Sequence, residues 1–153
     1  MGGSNSEVYY DQKTNNLINS SNVAGANLTT IYPKIFRLNE HAIIRNYIYS
    51  DASTETQANL AGLSFTAKIG SRGSSALITN SNAASFNLTS DWASANVNSG
   101  HICFSVNTAG TAIDTALGTL DSKQYSCHIL GTDGDGDDRT VAQYYITLVN
   151  VPD

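Results

Sequence analysis

Short segments in which apolar and polar residues alternate recur along this chain, and nothing in it sustains the 3.6-residue apolar period of a long amphipathic helix. Leu63-Ser64-Phe65-Thr66-Ala67-Lys68-Ile69 is the cleanest case, with Leu63, Phe65, Ala67 and Ile69 on one face and Ser64, Thr66 and Lys68 on the other. A strand patterned this way buries one face and wets the other, which requires a second layer packed on its apolar face. Composition agrees. Ser, Thr and Asn make up about a third of the 153 residues and charged side chains only 14%, so polarity is carried by groups that favour turns and strands over helix.

Further strands are read over Ile31 to Phe36, where Pro33 argues for an edge position, and over Ala42 to Tyr49, which is dense in β-branched and aromatic residues. Shorter ones are expected around Ala76 to Thr79 and Ser85 to Leu88, and another over His101 to Val106. Gln124 to Leu130 and Thr140 to Asn150 form a hairpin around the Asp/Gly-rich stretch Gly131 to Asp138. Thr111 to Leu120 holds at most one or two helical turns because of its Thr and Gly content. The sum is an Ig-like antiparallel β-sandwich of about seven or eight strands over residues 31–153. At 16.3 kDa the chain suits one such domain. Ahead of it, residues 1–30 are rich in Asn, Ser, Thr and Gly and hold too little apolar surface to fold alone. They read as an extended N-terminal arm for docking or oligomerisation, with Val8, Tyr9, Tyr10, Leu17 and Ile18 as the anchors pressed into a neighbour.

The formal net charge is −5 and the pI about 4.9. Eight Lys and Arg residues are scattered, so no basic stripe follows a phosphate backbone and nucleic acid is not an expected partner. No apolar run approaches the roughly 18 residues that span a bilayer. MGGSNSEVYY has neither a basic nor an apolar signal region, so export is not expected and the triplets at Asn19, Asn27 and Asn87 carry no glycosylation weight. Alternation puts Cys103 on the face opposite Ile102 and Phe104, away from the core, and Cys127 among the core residues Tyr125 and Ile129. Two reduced thiols fit that arrangement better than a disulfide, although the sequence leaves the pairing undecided.

No catalytic constellation emerges. There is no G-x-S-x-G elbow, phosphate-cradling loop or C-x-x-C, and His41, His101 and His128 form no metal-spaced pair. Asp51 and Glu55 flank a Ser/Thr-rich turn where acids are solvated. The expectation is a non-enzyme without a cofactor. Asp133, Asp135 and Asp137 carry the first three acids of an EF-hand loop and are the candidate calcium ligands. The rest of that motif is missing, with Asp138 at the glycine position and Tyr144 at the bidentate-acid position, so a solvated hairpin turn explains the same residues. Tyr47, Tyr49, Trp92, Tyr144 and Tyr145 are candidates for a sugar-binding surface, against the commoner use of such residues in packing.

Asp121-Ser122-Lys123-Gln124-Tyr125-Ser126-Cys127 resembles the tyrosine corner of immunoglobulin-type sandwiches, which implies that Tyr125 ties back to the preceding loop. On a larger scale, Ile35 to Val151 resembles the small sandwich domains of tailed-bacteriophage structural proteins, especially the N-terminal domain of baseplate upper and tail fibre proteins. The strand pair Ile35 to Leu38 and Ile43 to Tyr49, the entry Leu60-Ala61-Gly62-Leu63-Ser64-Phe65 and the turn Asp121 to Tyr125 carry this resemblance. It implies a virion component assembled in the bacterial cytoplasm, homo-oligomeric and joined to other virion proteins. The partner would be a tail or baseplate hub, or alternatively the major capsid protein in a decorating role. Two further alternatives are a host glycan as partner and a sugar-binding sandwich acting alone.

Overall fold

The computed structural model describes residues 5–18, 32–40, 42–80 and 97–153. The expectation of an all-β sandwich holds, with ten strands among the described residues rather than seven or eight, and two mixed sheets rather than purely antiparallel ones. The first sheet contains β1 (Asn5–Asp11), β2 (Asn16–Ile18), β4 (Ala42–Asp51), β5 (Thr56–Gln57) and β8 (His101–Val106). The second runs β3 (Lys34–Phe36), β10 (Asp138–Val149), β9 (Ser122–Thr132), β6 (Ser64–Gly70) and β7 (Ile78–Asn80). Parallel pairing of β1 with β4 and of β3 with β10 makes both sheets mixed. As Pro33 implied, β3 is an edge strand.

The reading of residues 1–30 as an arm needs correction over residues 5–18. β1 lies beside β4 along its whole length, from Asn5 opposite Ile43 to Asp11 opposite Tyr49. Its pleat divides the supposed anchors between two faces. Val8 and Tyr10 point into the core with Leu17 of β2, while Tyr9 and Ile18 point outward. Burying a side chain of Val size stabilises by about 1.5–3 kcal/mol, which belongs to folding rather than to a docking contact. β1 and the turn after it also reach the second sheet: the Tyr10 ring packs 6.4 Å from that of Tyr144, and Gln12 Nε2 donates to the Val141 carbonyl at 3.0 Å. The domain therefore includes residues 5–18 and does not begin at Ile31.

Alternation builds the core between the sheets. Ile44, Ile48, Ile102, Phe104 and Val106 face Phe65, Ala67, Ile69, Ile129, Ile146 and Leu148. Ile113 and Leu117, one turn apart on α1 (Thr111–Leu117), add to the same core. A buried polar pair bridges the two sheets: Tyr144 Oη donates to Asn46 Oδ1 at 2.6 Å, with Asn46 0% exposed.

β8 and β5 pair with successive stretches of β4, and the chain passes between them at Gly100. Gly100 has φ +74, and a Cβ there would lie 2.2 Å from the Ile48 carbonyl oxygen, so only glycine fits. A register shift between Thr140 and Ala142 marks a bulge in β10 at the buried Val141, which packs over Gly131. The β9–β10 hairpin matches the sequence reading, as do β4, β6 and β8. The candidate strand at Ser85 to Leu88 lies outside the described residues, as do Trp92, His41 and the three glycosylation triplets.

Cys127 is in the core and Cys103 is on the outer face of the first sheet, as the alternation implied. Cys103 is nonetheless 0% exposed, packed with Ile43 and Tyr47, so the expectation that it is unburied is wrong. Both thiols are free and lie on different faces of different sheets, which rules out a disulfide between them here. Burial pushes the Cys127 thiol up to about 12.

Candidate binding surfaces

The outward face of the first sheet carries a row of packed rings. Tyr9 stacks on Tyr47 with centroids 4.6 Å apart, and His101 meets Tyr47 edge-on at 4.9 Å. Tyr9 donates to Glu7 Oε2 at 3.0 Å, and burial together with that acid pushes the Tyr9 phenol up to about 12. Tyr49 is buried against Ile18 and Ala52. These phenols spend their faces on one another, leaving little free ring for a sugar. Tyr144, another sugar-binding candidate, points into the core.

Tyr125 is buried on β9 with Lys123 Nζ 5.2 Å above its ring. Among the described residues its hydroxyl makes no hydrogen bond to the preceding loop, so the corner expected there is not formed. Asp51 and Glu55 serve a local turn: Asp51 Oδ1 accepts from the Ser53 amide and hydroxyl, Oδ2 pairs with Lys13 at 3.3 Å, and Glu55 closes the turn at φ +57.

Asp133, Asp135 and Asp137 bring one carboxylate oxygen each within 4.8 Å of one another. Asp133 is already committed. Its Oδ1 accepts the amides of Asp135 and Asp137 at 2.9 and 3.0 Å, its Oδ2 meets Arg139 at 3.2 Å, and these donors hold its carboxyl below the usual range. Calcium takes six to eight oxygens, whereas this turn leaves two exposed carboxylates beside a guanidinium. The residues fit a self-sufficient hairpin tip better than a cation site.

A groove of about 570 Å³ on the outward face of the second sheet escaped the sequence reading. Register assembles its floor: Thr79, Lys68, His128 and Gln143 stand opposite one another across β7, β6, β9 and β10. The neighbouring row is Gly70, Ser126 and Tyr145. At Gly70 the lack of a side chain lets the following loop fold back, since a Cβ would lie 3.1 Å from the Leu77 amide. That loop brings Arg72 to 5.1 Å over the Tyr145 ring, and Ser71 to the rim. Gln143 Nε2 donates to Ser126 Oγ at 3.2 Å, and His128 Nε2 bonds the Thr140 hydroxyl at 2.9 Å. Burial and the Lys68 charge hold His128 below its usual pKa. The one sequence signal was the wet face of β6 followed by Gly70-Ser71-Arg72-Gly73, and it said nothing of which strands lie alongside.

No known protein family matches the chain, and no curated protein does either.

A third surface lies at the β3 edge. Phe36 and Leu38 are 50% and 47% exposed on either side of the buried Arg37. Arg37 binds Asn150 Oδ1 at 2.6 Å, Asp114 Oδ1 at 2.9 Å, Asp153 Oδ1 at 2.7 Å and the Val151 carbonyl. Buried Thr108 donates its hydroxyl to the Phe36 carbonyl at 2.7 Å and accepts the Asn39 amide at 3.1 Å. Leu38 is held at φ +68, a conformation costing a non-glycine residue about 1–2 kcal/mol.

Proposed function

We propose that this protein is a non-enzymatic structural component of a bacteriophage virion, a β-sandwich that self-associates and docks on other virion proteins of the tail or baseplate. The observation that carries the docking part is the rigid display of Phe36 and Leu38. Two large apolar side chains stand half-exposed at the end of an edge strand and in the turn that follows it, fixed by Arg37 from one side and Thr108 from the other, with Leu38 in a strained conformation. Preorganised apolar anchors on an edge are what a subunit contact uses, because little conformational entropy is left to lose on association. The virion assignment rests on the resemblance of Ile35 to Val151 to phage sandwich domains. Docking is assigned to this edge and not to residues 5–18, which are built into the first sheet with Val8, Tyr10 and Leu17 in the core.

Light scattering on the full chain tests the contact. An oligomer is expected, returned to monomer by Phe36→Asp combined with Leu38→Asp with the circular dichroism spectrum retained. Immunogold labelling of the parent particle tests the assignment. Label at the tail tip supports it, label over the shell replaces it with capsid decoration, and label on neither overturns it.

A further inference from the structure

We propose that the groove on the outward face of the second sheet binds an acidic saccharide, its oxyanion held by Lys68 and Arg72 and its hydroxyls by Ser71, Ser126 and Gln143. The charge pattern comes first. In a chain of net charge −5, Lys13, Arg37 and Arg139 are each paired with a carboxylate. Lys34, Lys68, Arg72 and Lys123 have no such partner among the described residues, and of these Lys68 and Arg72 line one groove in which no described residue is acidic. An oxyanion entering it meets two cations and no carboxylate to repel it. Resting over the Tyr145 ring, the Arg72 guanidinium has part of its freedom removed before a ligand arrives.

The remaining lining decides the class of ligand. Serine and threonine hydroxyls and the Gln143 amide both donate and accept, which suits a polyol whose hydroxyls do the same. A nucleobase would need a free aromatic face, but the Tyr145 ring carries Arg72 and also meets Tyr32 edge-on at 5.6 Å. Four strands at about 4.8 Å spacing make the floor roughly 14 Å wide, enough for a short oligosaccharide rather than a single ion. The groove involves neither Phe36 nor Leu38, so this inference does not depend on the assembly reading.

The test titrates the full chain, followed by amide and imidazole NMR signals, with an oligogalacturonate and a sulfated tetrasaccharide, each against neutral maltotetraose and inorganic sulfate. Saturable binding of at least one acidic oligosaccharide is expected, with shifts at Ser126, His128 and Gln143. Neither control should saturate. Lys68→Gln and Arg72→Gln should each weaken binding about tenfold, the loss expected for one hydrogen bond to a charged group. Lys34→Gln, which removes a cation outside the groove, should leave binding unchanged. The Phe36→Asp and Leu38→Asp double variant should also bind normally, which separates failure here from failure of the docking surface. Binding of neither acidic sugar, equal affinity for maltotetraose, an adventitious ion only, equal weakening by Lys34→Gln, or shifts confined to other surfaces would each overturn the proposal. The shift map of the unsubstituted protein decides the matter even if a variant fails to fold.

Discussion

Replacing Tyr144 with Phe removes one oxygen from the centre of the sandwich and leaves no cavity larger than that atom. The oxygen lost is the donor to Asn46 Oδ1, at 2.6 Å, between a residue that is 0% exposed and one on the opposite sheet. Asn46 is poorly served otherwise, since its Nδ2 reaches the Ile44 and Ile102 carbonyls only at 3.3 and 3.5 Å. An ordinary hydrogen bond contributes about 0.5–1.5 kcal/mol net, but stranding a buried acceptor costs its desolvation, about 1–3 kcal/mol. Water has no access to Asn46, so the upper half of that range applies and about 2 kcal/mol is expected. For a domain of this size that lowers Tm by roughly 4–8 °C. Urea unfolding followed by circular dichroism should show a lower midpoint at unchanged slope, because the surface exposed on unfolding is the same. Asn46→Leu alone leaves the buried phenol with only the weak Cys127 sulfur as a partner. The double variant leaves two apolar groups and should be less destabilised than the sum of the singles, with a coupling of about 0.5–3 kcal/mol. A Tyr144→Phe effect below about 0.5 kcal/mol, or strict additivity, would refute the claim that this pair bridges the sheets energetically.

Gly100→Ala forces a Cβ against the Ile48 carbonyl at 2.2 Å and into φ +74, so a loss of at least about 3 kcal/mol or failure to fold is expected in thermal denaturation; a variant of unchanged Tm would show that the crossing between β5 and β8 relaxes freely. Ellman's reagent should label neither Cys103 nor Cys127 in the folded protein and both after denaturation, and prompt labelling of Cys127 would contradict its burial and its thiol pKa of about 12. His128 binds its proton more weakly folded than unfolded, so its contribution to stability is fully present above about pH 6.5 and is lost as pH falls below that value toward the lowered folded one. His128→Gln should accordingly lose less stability than the parent on acidification over that window, and identical pH profiles would count against it. Calcium at about 1 mM should leave Tm unchanged, because the Asp133 turn is closed by its own amides and Arg139; a rise reversed by chelator would restore the cation reading.

Alternation in the sequence determined the strand identities of β6, β8 and β9, because a period of two needs no knowledge of the partner strand to say which side chains share a face, and β-branched and aromatic density determined β4. Pro33 determined the edge by lacking a donor, and the Asp/Gly tip determined the hairpin through its turn chemistry. Local chemistry is sufficient for each of these. Tertiary structure alone decided the rest. Val8-Tyr9-Tyr10 looked like isolated anchors because β1 is stable only beside β4, more than thirty residues away in the chain, in a parallel pairing that leaves no local signal. Cys103 is buried on the nominally wet face because packing around Ile43 and Tyr47 overrides the alternation. The groove is the extreme case. Lys68, His128 and Gln143 are dispersed over about half of the chain, and only the register of three neighbouring strands puts them in one row, with Arg72 brought alongside by a loop that Gly70 permits. Sequence period fixes which face a residue occupies, but only the pairing of strands fixes its neighbours on that face, and a binding surface is made of neighbours.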